Sequence, residues 1–350
     1  MGLSGGHMVE LPPNGVDVAV EVGRIAAAPG SIADRAKALL EPLHRVFPFE
    51  GAWIGLLDPE RRAHLSLVQQ GHEDRLRAYL DGPQILEEME LVGIRRSPAP
   101  MRLRDLPVPV AESPTWAEYM WPAGFRDGVG VGLFSPDGRY MGVLGLHTDT
   151  PAQLTDAARD LIGLLAPTIA AAVDPMRSIA VVAGMVGNAT AGIVLTRASD
   201  SLPLPGLASH LLLVAGSPVL AVAAAQRAGQ AVASFLWPYQ DRDSADRQVR
   251  ITVLACPAEI PDYLSAVVLV SPPGDLHGLT PRELQVLGLL VEGWSNPRIA
   301  ARLVISDHTV ITHVEHILAK LAVPTRIAAA AVALRLGLYV PRLLAPVGTE

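Results

Sequence analysis

Between residues 298 and 326 the chain gathers side chains whose chemistry suits a polyanion with hydrogen-bonding edges. Arg298, Arg302, Lys320 and Arg326 offer cations for phosphate oxygens. His308, Thr312 and Glu315 offer donors and acceptors for flat polar edges, and Thr309, Ile311 and His316 complete the same region. Spacing sorts these residues. At about 100° per residue, Val310, Val314, Ile317 and Leu321 fall on one stripe, with Leu318 at its edge. That stripe must face a core. His308, Thr312, Glu315, His316 and Ala319 then occupy the opposite, outward face of the same helix.

The elements that position this face are announced by caps. Thr280 is a good N-cap, Pro281 takes the favoured first helical position, and Glu283 completes a T-x-x-E capping box. Ser295 and Asn296 break the helix after Gly293, and apolar spacing resumes through Ile299, Ala300 and Leu303. Ser306 and Asp307 open a third helix, whose first backbone N–H groups are suited to a phosphate. Thr325 opens a fourth, Ala-rich helix that stops at Gly337. Short helices joined by tight turns make a helix-turn-helix that presents its third helix to the DNA major groove.

The same residues resemble the C-terminal domain of LuxR-type (NarL-type) bacterial transcription regulators. The landmarks are L-T-P-R-E at Leu279–Glu283, Glu292–Gly293, Ser295–Asn296, Ile299–Ala300, Ile305–Ser306, Thr309–Val310, Thr312–His313 and Ile317–Leu321. The resemblance implies double-stranded DNA as a partner, RNA polymerase as a second, and homodimers paired through the fourth helix. One departure stands out: members of the family commonly carry Lys or Arg where this chain has Ile311 and Glu315. It keeps alive a second reading, an interaction or dimerisation protein whose DNA recognition has degenerated.

Charge is consistent with one small DNA-touching module on an acidic body. From Leu279 to Gly337 six basic residues face four acidic ones, whereas the whole 350-residue chain carries −7. Apolar content of 50% is ample for buried cores, and the single cysteine, Cys256, suits a reducing compartment without disulfides. Two uncharged stretches, Ser178–Thr196 and Ser201–Gln226, are broken by Gly and Pro and read as core rather than membrane spans. The expected location is the cytoplasm. Enzyme chemistry finds no support: there is no phosphate-binding Gly-rich loop, no nucleophile elbow and no H-E-x-x-H. No metal-ligand set is evident, since the helix histidines lack a completing Cys or acid.

Upstream, helix and strand patterns alternate. Asp17–Ala27 and Ile32–Val46 read as helices, and Gly51–Leu57 and Ala63–Gln69 as strands. A loop-rich, Pro-crowded middle leads to a hairpin, Gly128–Phe134 with Tyr140–His147, and a long helix, Thr155–Val173. This order resembles a GAF domain, a sensing and dimerisation module. The resemblance implies a pocket between sheet and lid for a small-molecule effector of unknown identity. Trp53, Trp116, Tyr119, Trp121, Phe125 and Arg126 are its candidate lining, the alternative being that the lid aromatics fill the lid's own core. No cofactor is indicated: the cysteine is too far downstream for a bilin. His44, His64, His72 and His147 read as satisfied or exposed rather than as haem ligands.

Residues 176–273 weakly resemble a PAS domain. Ala191–Thr196, Phe235–Tyr239, Val249–Cys256 and Ala266–Ser271 read as strands, Ser217–Gly229 as a helix and Asp241–Arg247 as an exposed turn. The expected plan is multidomain α+β followed by an all-α helix-turn-helix. Its parts are a flexible start (1–16), a GAF-like domain (17–175), a PAS-like α+β domain (176–273), the DNA-binding domain (274–342) and a tail (343–350). Pro272-Pro273-Gly274-Asp275 makes a short, stiff linker between the last two folded parts.

Overall fold

The computed structural model describes residues 11–151, 154–226, 231–241, 244–256 and 261–341. The start before residue 11, the end of the 217–229 helix, the tip of the 241–247 turn and the tail after 341 lie outside them. Near Pro175 the chain divides into two compact units.

The first unit opens with α1 (Gly15–Ala27), α2 (Ile32–Ala38) and α3 (Leu40–Val46), followed by β1 (Gly51–Asp58) and β2 (Ala63–Gln70). The helix expected over Ile32–Val46 is two helices. Pro42 lacks the N–H that a continuous helix would require there, and the chain breaks between Ala38 and Leu40. α4 (Asp74–Leu80) and α5 (Gln84–Val92) then occupy part of the region read as loop. β3 (Met101–Arg102), a turn of π-helix at Thr115–Met120, β4 (Asp127–Phe134), β5 (Tyr140–Thr148) and α6 (Asp156–Val173) complete the unit. The sheet is antiparallel with order β2-β1-β5-β4-β3.

Alternation along β1 separates two cores. Ala52, Ile54 and Leu56 pack with α1, α2 and α6, whereas Trp53 packs with Leu76, Leu80, Ile85 and Met89 on the other face. The hairpin between β4 and β5 turns where Ser135–Gly138 placed it, with Gly138 at φ +84° and Arg139 O accepting from Ser135 N at 2.9 Å.

The second unit begins with α7 (Pro175–Gly184), β6 (Ala191–Thr196), β7 (Ser201–Pro203) and α8 (Pro218–Gln226). β8 (Val232–Asp241), β9 (Ser244–Ala255) and β10 (Leu264–Ser271) finish a second sheet of order β7-β6-β10-β9-β8. Counted within each unit, both sheets have the same antiparallel order, 2-1-5-4-3. The strands β8 and β9 run into the charged 241–247 segment and pair there, Tyr239 with Arg247 and Asp241 with Ser244, so the turn is shorter than expected. Among the described residues no single helix is long and apolar enough to cross a membrane. The two uncharged stretches fold as α7 with β6 and as β7 with α8.

Four helices close the chain: α9 (Pro281–Val291), α10 (Asn296–Leu303), α11 (Asp307–Leu321) and α12 (Arg326–Leu336). They share one continuous apolar core with the second sheet. The junction is specific. The backbone N–H of Leu236 on the edge strand β8 donates to Tyr339 O at 2.8 Å, so the segment after α12 covers a sheet edge. Arg250 on β9 donates to Pro273 O at 2.7 Å and to Leu336 O at 2.5 Å, tying the linker and the end of α12 to the sheet. Gly337 sits at φ +62°, where an added Cβ would lie 2.6 Å from Ser234 Cβ. Gly337→Ala therefore combines left-handed backbone strain with a steric clash, and should cost about 2 kcal/mol. Urea titration followed by tryptophan fluorescence checks this, Trp237 and Trp294 reporting on the same core, and an unchanged midpoint would contradict it.

Candidate nucleic-acid interface

The caps read from the sequence are in place. Thr280 Oγ1 accepts from Glu283 N at 3.3 Å while Glu283 Oε2 accepts from Thr280 N at 2.7 Å, a reciprocal box with Pro281 inside it. Ser306 Oγ accepts from Thr309 N at 3.1 Å and opens α11; Thr325 Oγ1 accepts from Ala328 N at 3.1 Å and opens α12. Between α10 and α11 the chain turns at Val304, left-handed at φ +55° and 90% exposed. Arg282 holds that turn by donating to Leu303 O at 2.7 Å.

α11 buries the stripe assigned to it. Val310 and Ile317 are fully enclosed, and Val314, Leu318 and Leu321 pack partly against the core. The opposite face is open: His308, Ile311, Glu315 and His316 are exposed, while Thr309 and Thr312 are half-buried. Thr312 Oγ1 donates its proton to His308 O at 3.1 Å, which leaves its lone pairs to accept from a base. Ser306 Oγ and Thr309 Oγ1 lie 2.8 Å apart, so these hydroxyls order each other at the start of the helix.

The cations divide into two groups. Arg298 and Arg302 are exposed, and the Arg298 guanidinium lies 3.9 Å above the Trp294 ring, which fixes its direction. Lys320 and Arg326 have internal partners. Lys320 Nζ bonds both carboxylate oxygens of Glu283, at 2.9 and 2.7 Å, and Arg326 donates to Asn296 Oδ1 at 3.2 Å and to Trp294 O. These bonds join α9 to α11 and α10 to α12, a role that sequence spacing did not suggest. Glu283 is 3% exposed. Burial pushes its carboxyl up, but the bonds from Lys320 and from Thr280 outweigh this and hold it below the usual range.

The family comparison decides the character of this segment. Residues 277–333 match the family described as bacterial regulatory proteins, luxR family. The C-terminal helices are a luxR-type helix-turn-helix DNA-binding domain. The nitrate/nitrite response regulator NarL of Escherichia coli (strain K12) is 45% identical over 56 residues, 16% of this chain and 26% of that protein. The transcriptional regulatory protein LnrK of Bacillus subtilis (strain 168) is 40% identical over 77 residues, 22% of this chain and 35% of that protein. The chain thus spans about a quarter to a third of the length of these curated relatives. Among solved structures, the GAF domain of a phosphoenolpyruvate-protein phosphotransferase from Coxiella burnetii aligns with 16% identity and a TM-score of 0.37. It covers 48% of this chain and 97% of its own.

The candidate effector residues of the first unit do not converge on one pocket. Trp53 and Trp116 line a cavity of about 80 Å³ beside Glu88, Arg102 and His147. Ligand pockets for drug-sized molecules run about 300–1,000 Å³, so this one has room for a few waters only. Tyr119 instead stacks on Tyr79 at 3.9 Å, and buried Phe125 packs on His72 and His147, each at 5.6 Å. Trp121 is 37% exposed, and Arg126 donates to Trp121 O and Phe125 O. Most of these aromatics fill the lid's own core. Around them sit His64, His72 and His147, expected to be satisfied or exposed; all three are buried, and among the described residues the Nδ1 atoms of His64 and His72 meet no hydrogen-bond partner. His64 Nε2 lies 3.0 Å from Tyr140 OH, and His72 Nε2 lies 3.2 Å from His147 Nδ1. Among the described residues no His, Cys, Asp or Glu cluster could hold a metal ion.

Proposed function

We propose that the chain is a bacterial, sequence-specific DNA-binding transcription regulator whose GAF- and PAS-like modules sense or dimerise. The observation that carries this reading is the open polar face of α11 on a luxR-type helix-turn-helix, with its apolar stripe turned to the core. His308, Thr312 and Glu315 read base edges in the major groove; Glu315 is suited to a cytosine amine, and Thr312 to a base edge or a thymine methyl. Ile311, 43% exposed, adds an apolar contact of the kind thymine accepts. Arg298, Arg302 and the N-terminus of α11 at Ser306 meet phosphates, while Thr309 and His316 border the contact. Lys320 and Arg326 act mainly by holding the helices together.

Two copies pair through α12, which leaves Ile327, Ala331 and Leu334 exposed at helical spacing. RNA polymerase is the partner that such a regulator addresses. The competing reading, an interaction protein with degenerate recognition, draws on the apolar Ile311 and acidic Glu315.

Variants tested on a duplex enriched from a random-sequence pool separate the assigned roles. Arg302→Ala should weaken binding to every sequence and reduce the salt slope by about one. Thr312→Ala should weaken the enriched duplex alone, by about 1–3 kcal/mol. Equal losses on all duplexes for both variants would refute base reading by α11.

A further inference from the structure

A helix on a protein surface ordinarily turns polar residues outward. α1 does not. Its inward side is Val18, Val22 and Ile25, all buried. Its outward side carries Val16 and Val20, 65% and 68% exposed, with Gly23 and Ala27 exposed on the same stripe. At about 100° per residue these four fall within about 60° of one another. On α6, Leu164 is 56% exposed, one turn beyond Leu161, which approaches Gly15 at the start of α1.

Two charged residues border the stripe, both along one edge. Asp17 and Arg24 are exposed and meet no partner among the described residues, whereas Glu21 is bound by Arg45. Seven residues apart, they lie about 5 Å on either side of the level midway between Val20 and Glu21. A two-fold axis at that level, perpendicular to the helix, sets a second α1 antiparallel to the first and brings like edges together. Asp17 of each copy then faces Arg24 of the other. Val20 packs on Val20 of the second copy, and Val16 drops between its Gly23 and Ala27. Gly23 leaves room for this, since an added Cβ there would meet nothing within 4 Å. A parallel pair would instead set the charged edge against Ala19 and Ala26, which are half-buried against the core.

We propose that α1 is a self-pairing surface, which joins the first units of two chains as an antiparallel, two-fold helix pair. The pairing deepens the dimerising reading of the GAF-like module, adds to the contact through α12, and needs no DNA. One helix face is small against the roughly 1,200–2,000 Å² of a stable interface, so the test traps the contact covalently.

The full chain carries Cys256→Ser, so that an introduced cysteine is the only thiol. Val20→Cys, on the two-fold axis, should give a covalent dimer under mild oxidation. Val16→Cys, which faces Gly23 and Ala27 rather than itself, should give little. In the Val20→Cys chain, Asp17→Arg or Arg24→Asp should each lower the initial trapping rate about threefold, because either change sets like charges together twice per pair. Both changes together should restore the rate, which a folding defect would not. Equal trapping at positions 16 and 20, the mark of a parallel pair, would overturn the proposal. So would no trapping at position 20, or trapping indifferent to the charge changes. Trapping that appears only after residues 2–10 are removed would overturn it too, because the chain's own start would then cover the face. Sedimentation of the untreated chain separates this contact from that of α12. A dimer that does not trap at position 20 leaves pairing through α12 standing, and a monomer removes both.

Discussion

Acidification from pH 7.5 to 5.5 will destabilise the first unit by about 4 kcal/mol. His64, His72 and His147 are 3%, 3% and 7% exposed. Burial is the main force keeping each neutral: it lowers His64 to about 3 with help from Arg95, and His72 to about 4 with help from Arg77. His147 is lowered well below its ordinary value by burial and by His72. In the unfolded chain all three titrate near 6.5. Between 6.5 and about 4 the unfolded state therefore binds more protons than the folded one, so stability falls as pH falls. Each histidine contributes about 1.4 kcal/mol per pH unit once well below 6.5, and three together give the stated loss. Urea titrations at the two pH values, read by tryptophan fluorescence, measure it. His64→Leu should remove about a third of the dependence. A flat profile would mean that the three rings gain protons in the folded state.

Replacement of Glu283 by alanine should cost the second unit about 3 kcal/mol. The carboxylate satisfies the N-terminus of α9, holds Lys320 from α11, and lies 3.8 Å from His316 Nδ1. Losing a capping box costs about 1 kcal/mol, and removing one partner of a buried ion pair costs 3–5 kcal/mol. Lys320 is 32% exposed, so it regains water when its partner is lost, which sets the total toward the lower figure. Because the folded Glu283 titrates below its ordinary 4.5, its contribution is fully present above that pH and is lost as pH falls through the lowered value. A thermal melt of Glu283→Ala against wild type checks the magnitude. Near-equal midpoints would show that the pair is dispensable for joining α9 to α11.

The C-terminal helices were legible because their boundaries are written locally. Thr280 with Glu283, Ser306, Thr325 and Gly337 each act within four residues, and α11 has enough turns for its stripe to repeat. β1 and the β4–β5 hairpin were legible for the same reason, through a short apolar run ending at the Asp58-Pro59-Glu60 turn and through the Ser135–Gly138 turn. α4 and α5 were not. With seven and nine residues they are too short for propensity to decide, and their apolar faces make sense only against Trp53 across the sheet. The cations that hold the DNA-binding helices were hidden by distance. Glu283 and Lys320 are 37 residues apart, and Arg326 meets Trp294 O across 32. Position alone made both cations look free for phosphate.

The most direct test of DNA reading is titration of the full chain onto its enriched duplex and onto an unrelated duplex, across a salt series. Binding should be tighter to the enriched duplex at every salt concentration, with a modest slope that reflects a few phosphate contacts. Equal, weak binding to both duplexes throughout the series would contradict it.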